Sequence, residues 1–359
     1  CGESYIEKIK YSRLMKGYYK ILLSAPFISA IAACSSGPAK DFSAPVTLKA
    51  DSIAVNEILR PNGFFPSKNA VAVKTPDEDI FYVYKLPGFE FMYTWGKSGS
   101  GPGEFPSKVV EKTNSDGKIA IRTYRSGGRV CELYSIGEKG MEKTGSFEDY
   151  GFDSNYSGAY VVLDSRLLVS SFIGNDNDRT HTLKLIDMAD GAVKDVLYDF
   201  YEYTIPFGER PNIGRNNAHV AAYGRKLAVG YEEDSRIDIF DIDKYDRFVP
   251  VASTRDEAGP RKNDFNPDVS AVNLRYVALF ADGNYIYAVN MRTNMQELTQ
   301  NRQTDAVLEV FDWRGRPVNA FRFDRKNVVP VFVDGPRKTV YAIARGEDFD
   351  RIYTYKLNL

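Results

Sequence analysis

The side chains best suited to bind an anionic ligand lie between the strand-like segments of the sequence. Residues 201–212 combine three aromatic rings with an arginine and an amide, and further arginines occur in later segments of the same kind. The planar guanidinium of arginine binds carboxylates and phosphates, and exposed rings can stack on sugars or peptide side chains. The candidate ligand-binding residues are Tyr203, Arg210, Asn212, Arg215, Asn216, Arg261 and Arg292.

Catalytic motifs are scarce by comparison. The chain has 2 His and 3 Cys in 359 residues, which leaves little room for histidine-based triads or metal sites. The glycine-rich segment 96–106 fits neither a P-loop nor the Gly-x-Ser-x-Gly turn of hydrolases. Residues 174–178 place oxygen ligands at alternate positions, but they lack the glycine and the distal glutamate of an EF-hand. We therefore expect a non-catalytic protein without a cofactor.

The segments that must position these residues are short strands separated by turns. Residues 107–148 illustrate the pattern, because four alternating apolar segments are separated by turns at 114–117, 126–128 and 137–140. Similar units recur from residue 45 to the end of the chain. The other units start near Ala70, Ala159, Ala218, Val269 and Val329.

The last unit supplies only three strands, and an unassigned strand-like segment, Ile53–Leu59, lies near the start of the repeats. Adding that segment to the last unit would close a ring and remove the exposed edges of an open array. The sequence therefore predicts an all-β fold, a six-bladed β-propeller whose ring is closed by the N-terminal strand joining the last blade. A pair of β-sandwiches is the alternative, although no linker or change in composition divides the chain.

In such a fold, successive connections alternate between two faces. The short-turn face holds the connections between first and second strands and between third and fourth strands; the former are Pro76–Asp79, Asn114–Gly117, Asp164–Arg166, Gly224–Arg225, Asp282–Gly283 and Gly335–Arg337. The long-loop face holds Gly96–Pro106, Asp149–Ser157, Tyr201–Arg215, Ser253–Asp268 and Met291–Ala306. Long loops on a rigid scaffold commonly carry binding sites. The candidate ligand-binding residues are all predicted to lie on this face.

Three segments carry a resemblance to known families. The segment Gly96–Pro106, continued by Asp116-Gly117 and Arg129-Val130, resembles an NHL-type repeat. Residues 282–288 and 311–318 are similar to the TolB-like six-bladed propeller lipoproteins of Bacteroidetes. The resemblance implies a fold and an envelope location, without a common reaction.

Propeller lactonases of the gluconolactonase type suggest an enzymatic alternative. Such a protein would hold a divalent metal, such as calcium, in the central channel with Glu, Asn and Asp ligands. The candidate ligands for that metal are Glu111, Asn217, Asn273 and Asp164. This alternative is an envelope hydrolase or lactonase.

The N-terminal segment has the pattern of a secretory signal. A basic stretch follows Met15, the expected true start, and an apolar run of 13 residues from Ile21 to Ala33 precedes Cys34. The residues Ile31–Cys34 resemble the bacterial lipobox, which implies that Cys34 is acylated and becomes the first mature residue. We expect residues 1–33 to be removed, residues 34–44 to form a lipidated tether, and residues 45–359 to form one propeller domain.

Charge and composition limit the partners. The formal net charge of the chain is -1, so nucleic acid is not an expected partner. We expect a monomeric, lipid-anchored envelope protein that reaches the membrane through the lipid anchor only and binds an envelope protein, a peptide or a glycan. Only one acidic residue, Asp41, follows closely after the cysteine. In the Bacteroidetes lipoproteins that the chain resembles, surface display goes with an acidic cluster just after the cysteine. The resemblance therefore implies the periplasmic side of the outer membrane, with surface display as the alternative.

Overall fold

The computed structural model describes residues 42–57, 60–76, 79–101, 104–105, 108–112, 117–125, 128–148, 157–163, 167–173, 181–198, 218–231, 236–254, 273–294, 296–297, 300, 305–344, 347 and 349–359. Regular structure in these residues is β-strand, apart from a short helical turn at 296–297. The prediction of an all-β chain is therefore confirmed. The predicted signal segment and Cys34 lie outside the described residues.

The described strands form six sheets, numbered 1 to 6 in chain order. Sheet 1 contains β3 (Gly63–Pro66), β4 (Ala70–Lys74), β5 (Asp79–Lys85), β6 (Glu90–Ser98) and β7 (Glu104–Phe105). Sheet 2 contains β8 (Lys108–Lys112), β9 (Lys118–Arg125), β10 (Gly128–Ile136) and β11 (Met141–Glu148). Sheet 3 contains β12 (Ser157–Val162), β13 (Leu167–Ile173), β14 (His181–Asp187) and β15 (Val193–Tyr198).

The remaining three sheets include both N-terminal strands. Sheet 4 contains β16 (Ala218–Tyr223), β17 (Lys226–Tyr231), β18 (Ile237–Ile242) and β19 (Phe248–Ser253). Sheet 5 contains β20 (Asn273–Ala281), β21 (Tyr285–Asn294), β22 (Val307–Asp312), β23 (Pro317–Phe323) and β1 (Val46–Leu48). Sheet 6 contains β24 (Val328–Asp334), β25 (Thr339–Ala344), β26 (Arg351–Lys356) and β2 (Asp51–Ala54).

The N-terminal strand β2 completes sheet 6, although it begins and ends earlier than the predicted segment Ile53–Leu59. It pairs antiparallel with β26, from Asp51 opposite Thr354 to Ala54 opposite Arg351. The chain ends of the described fold are therefore joined within one sheet, which covers an edge that would otherwise be open.

Two details of the predicted repeat are wrong. Sheets 1 and 5 have five strands, because β7 adds parallel to β6 and β1 adds parallel to β23. Sheet 1 also starts earlier than predicted, at Gly63, so Ala70–Lys74 is its second strand. The connection Pro76–Asp79 consequently joins second and third strands and belongs to the long-loop face, which corrects its assignment to the short-turn face.

The hydrophobic core lies between neighbouring sheets and is rich in aromatic rings. Phe332 of sheet 6 stacks on Tyr341 with ring centroids 4.4 Å apart, and Tyr84 of sheet 1 stacks on Phe89 at 4.9 Å; all four belong to one buried cluster that joins the two sheets. Cys131 is buried in β10. Many Tyr and Phe residues therefore have a packing role between sheets.

Neighbouring sheets contact one another through their first strands. The pairs in contact are β8 with β12, β12 with β16, β16 with β20, β20 with β24, and β24 with β3. On the short-turn face, Arg337 of sheet 6 donates to the Lys68 carbonyl of sheet 1 at 2.9 Å. Gly117 of sheet 2 packs so closely on Ser67 that an added Cβ would lie 2.6 Å from the Ser67 Cα. This sequence of contacts places the first strands side by side, as in a propeller.

Candidate functional site

Of the seven candidate ligand-binding residues, the structure describes Arg292. The others, Tyr203, Arg210, Asn212, Arg215, Asn216 and Arg261, lie outside the described residues. So do the metal-ligand candidates Asn217 and Asp164. The backbones of Glu111 and Asn273 lie in β8 and β20, near opposite ends of two first strands, and their side chains are outside the description.

Arg292 lies near the end of β21, where the chain reaches the long-loop face. Its backbone φ is 49°, a left-handed conformation that few residues other than glycine adopt. The amide oxygen of Asn290 accepts a hydrogen bond from the Arg292 backbone N–H at 3.1 Å and so helps to hold this conformation. The Arg292 side chain is 43% exposed, so the guanidinium reaches solvent on the predicted face.

The guanidinium is held from below by a buried carboxylate, Glu309 of β22. Arg292 Nη2 donates to Glu309 Oε1 at 2.8 Å, and the Glu309 side chain is 6% exposed. Asn290 Nδ2 donates to the same oxygen at 3.2 Å, and the Tyr276 hydroxyl donates to Oε2 at 2.8 Å. Both carboxylate oxygens are therefore occupied, which offsets the cost of burying the charge.

This arrangement leaves part of the guanidinium available. Within the described part of the chain, Nε and Nη1 of Arg292 donate no hydrogen bond. Arginine presents five N–H donors in a planar fork that matches a carboxylate or a phosphate. Because Glu309 already holds one nitrogen of the fork, an anion bound at the other donors would cost less side-chain entropy.

The connection after β21 is itself held by side chains. Thr293 Oγ1 donates to Glu297 Oε2 at 2.8 Å, and Asn294 Oδ1 accepts from the Glu297 backbone N–H at 2.8 Å. The asparagine thereby caps the short helical turn at 296–297. These contacts fix the backbone next to Arg292.

Two other sheets carry a buried acid at the position equivalent to Glu309. Glu309 lies opposite Ala288, Asp238 opposite Val229, and Glu132 opposite Ile121, in the same register between second and third strands. Each acid accepts a hydrogen bond from a tyrosine hydroxyl, at 2.8 Å for Asp238 and 2.9 Å for Glu132. The repeat therefore uses a tyrosine–carboxylate–base cluster as a recurring structural element.

The cluster of sheet 4 differs from that of sheet 5 in one respect that bears on binding. Arg236 contacts Asp238 through both Nε and Nη2, each at 2.8 Å, and its side chain is only 14% exposed. In sheet 2 the base is Lys143, which donates to Glu132 at 2.8 Å from the outer strand β11. Among these three clusters, that of sheet 5 combines a single-nitrogen ion pair with a guanidinium exposed at the long-loop face.

Sequence reasoning identified Arg292 but missed Glu309, Tyr276 and Asn290. Glu309 interrupts the apolar segment Val307–Phe311 and was indistinguishable from an outward-facing strand residue. An alignment of the repeats would have identified Glu309, because acidic residues recur at the equivalent positions 132, 238 and 309.

The described residues contain no group of three or more His, Cys, Asp or Glu side chains arranged to hold a metal ion. They also contain no helix that is long and apolar enough to cross a membrane.

No family model matches the chain, and no curated protein matches it. Among solved structures, a Bacteroides fragilis protein described as exported is 12% identical, with 90% of this chain and 98% of that one covered and a TM-score of 0.52. The β-propeller domain of Cps50 from Myceliophteria thermophila is 11% identical over 85% of this chain and 99% of that one, with a TM-score of 0.44. BamB from Moraxella catarrhalis is 11% identical over 86% and 98%, with a TM-score of 0.37. At these identities the likeness concerns the fold alone.

Proposed function

We propose that this protein is a non-catalytic binding protein that takes an anionic ligand, carried by a glycan, a peptide or a partner protein, on its long-loop face. The observation that carries the proposal is the Arg292–Glu309 pair, in which a buried acid holds a solvent-exposed guanidinium. A rigid scaffold that presents such a group is suited to binding.

The backbone of Arg292 supports the same proposal. A positive φ in a residue with a side chain costs of order 1 kcal/mol or more, and such conformations cluster at functional sites. Here the Arg292 backbone N–H donates to the Asn290 amide oxygen, and the Arg292 side chain donates to Glu309. The predicted contacts from Tyr203, Arg210, Asn212, Arg215, Asn216 and Arg261 would extend the site across the same face.

The proposed location is the cell envelope, with the chain anchored through an acylated Cys34 and facing the periplasm. The lipobox-like segment Ile31–Cys34 motivates this location. A Bacteroides fragilis protein of the same fold is described as exported, which agrees with it.

The proposed architecture is a closed ring of six blades of the TolB-like or NHL-like kind. Its support is the chain of contacts between the first strands of sheets 2 to 6 and sheet 1, together with the pairing of β2 and β26. A ring of five blades would leave one of the six sheets outside it. An experimental structure with six radial sheets would support the proposal, and five would contradict it.

The binding proposal is tested with arrays of defined acidic, neutral and basic glycans and peptides. Wild-type protein is compared with Arg292→Gln and with Arg247→Gln, which removes another exposed, ion-paired arginine on the short-turn face. We expect the wild type and Arg247→Gln to retain the same carboxylate- or phosphate-bearing ligands, and Arg292→Gln to lose them. The proposal would be contradicted if the wild type bound neutral ligands alone, or if Arg292→Gln retained all the ligands of the wild type.

A further inference from the structure

A second feature lies on the opposite, short-turn face, where sheets 4 and 5 meet. We name it the basic corner and define it by five side chains that are exposed there: Lys226, Lys244, Arg247, Arg314 and Arg316. Lys226 of sheet 4 places its Nζ 5.6 Å from the centroid of the Trp313 ring of sheet 5, so the two sheets contribute to one surface.

The acids of the basic corner are recessed beneath its cations. Asp243 accepts from the backbone N–H groups of Tyr245 and Arg247, at 2.8 and 3.0 Å, and pairs with the Arg247 guanidinium. The Arg247 side chain is 61% exposed whereas Asp243 is 22% exposed. Arg316 and Asp312 repeat the same relation in sheet 5. The positive groups therefore project furthest into solvent.

Asp243 and Asp312 both accept hydrogen bonds within their own turns. Burial alone would raise the pKa of Asp312, but hydrogen bonds from the Arg316 side chain and from the backbone of Arg316 and Arg314 lower it below its ordinary value. The corner also contains the buried Asp246, which pairs with Arg225 at 2.7 Å, and the exposed Asp241. Lys226, Lys244 and Arg314 make no ion pair among the described residues.

An exposed tyrosine stands among these cations. Tyr245 is 65% exposed, with Lys244 Nζ 4.9 Å and the Arg247 guanidinium 5.3 Å from its ring centroid. An amphipathic ring flanked by cations is the combination found where proteins contact the headgroup region of a bilayer.

The chain also enters the described fold beside the basic corner. The Phe42 ring packs edge-on against Phe311 at 4.9 Å, and Phe311 directly precedes the turn Asp312–Arg316. From Phe42 the chain runs into β1, which is parallel to β23 and so leads away from the short-turn face. The described fold thus receives its N-terminal chain on the side that carries the corner.

From these observations we infer that the basic corner docks on the anionic headgroups of a lipid bilayer. The ligand face with Arg292 then points away from that bilayer. This contact is additional to the expected lipid anchor, and it does not depend on the ligand proposed for Arg292.

The test measures binding of the full chain to two kinds of vesicle. One consists of phosphatidylcholine, and the other replaces about a third of it with phosphatidylglycerol. The variant Lys226→Gln/Lys244→Gln/Arg314→Gln is compared with Arg60→Gln/Lys97→Gln/Lys326→Gln, which removes three exposed cations from the long-loop side. All chains share the same N-terminal apolar segment, so binding to the neutral vesicles measures its contribution.

We expect the wild type to prefer the anionic vesicles, with a preference that shrinks as salt is raised. The corner variant should bind them roughly a hundredfold more weakly, because each cation near an anionic surface contributes about a factor of five. The control variant should keep the preference, and both variants should melt at the wild-type temperature. Absence of any preference, or equal losses in the two variants, would overturn the inference.

Discussion

Arg292 and Glu309 form an ion pair of 2.8 Å in which the acid is buried and the base is exposed. The acid is saturated by Tyr276, Asn290 and Arg292, whereas the guanidinium retains donors that face solvent. Glu309 therefore fixes the position of Arg292, which is the exposed member of the pair. These exposed donors are the group that we propose contacts the anionic ligand.

The first prediction concerns the stability of this cluster. Glu309→Gln leaves Tyr276 and Asn290 with an altered acceptor and Arg292 without its counter-charge, so we expect the free energy of unfolding to fall by about 1–3 kcal/mol. Chemical denaturation measures the change. Asp305→Asn, at an exposed acid that precedes the same strand, should change it by less than about 0.5 kcal/mol. Equal effects of the two variants would show that the cluster is not structural.

The second prediction concerns alkaline pH. Burial, and then the charge of Asp334, raises the pKa of Tyr341 to about 12 from the ordinary value of 10.0. Between these values the native state keeps a proton that the unfolded chain has lost, so the free energy of unfolding falls as pH rises. Below about pH 10 the contribution of Tyr341 is fully present.

Tyr341→Phe should make that fall less steep, because phenylalanine cannot ionise. Denaturation at about pH 9, 10 and 11 measures the slope. Tyr245→Phe changes an exposed ring and should have the same slope as the wild type. A Tyr341→Phe slope that matches the wild type would contradict the prediction.

The third prediction concerns the N-terminal strand that joins sheet 6. Ile53 of β2 packs against the cluster that contains Ile352 of β26. Because Ile53 is only partly buried, Ile53→Ala should lower the free energy of unfolding by about 1–2 kcal/mol, at the low end for such truncations. Its exposed neighbour provides the control, and Ser52→Ala should be within about 0.5 kcal/mol of wild type. If Ile53→Ala and Ser52→Ala had the same free energy of unfolding, this would argue against closure of the ring by β2.

The fourth prediction concerns acylation. In a bacterial host fed a labelled fatty acid, the full chain should incorporate label and partition into detergent. Cys34→Ala should abolish both, whereas Cys131→Ala should retain both because Cys131 is buried in β10. Incorporation of the labelled fatty acid into Cys34→Ala would contradict the predicted anchor.

The sequence was sufficient to predict the propeller, because alternation within strands and glycine- or asparagine-rich turns are local signals. The short strands β1 and β7 were missed, since each pairs in parallel through two or three residues and leaves no periodic pattern. The start of sheet 1 was missed for a similar reason, as β3 contains a glycine and a proline.

The candidate site was predictable only in part. An exposed arginine beside a long connection could be recognised, although Arg292 lies in β21 itself. Its position depends on Glu309, which Tyr276 contacts from 33 residues earlier in the chain. Such a contact is set by the register between strands, which local patterns do not determine. Comparison of equivalent positions across the repeats is the route by which Glu132, Asp238 and Glu309 become visible.

Arg292 is proposed to bind the anionic group of the ligand, and one titration tests this role most directly. The dissociation constant of the strongest acidic ligand from the arrays is measured by calorimetry for the wild type, Arg292→Gln and Arg247→Gln. Loss of a charge-assisted hydrogen bond should weaken binding to Arg292→Gln by about 10- to 150-fold and leave Arg247→Gln unchanged. Esterifying the ligand should weaken binding to the wild type by a similar factor and have little effect on Arg292→Gln. Equal affinities of the wild type and Arg292→Gln would contradict the account.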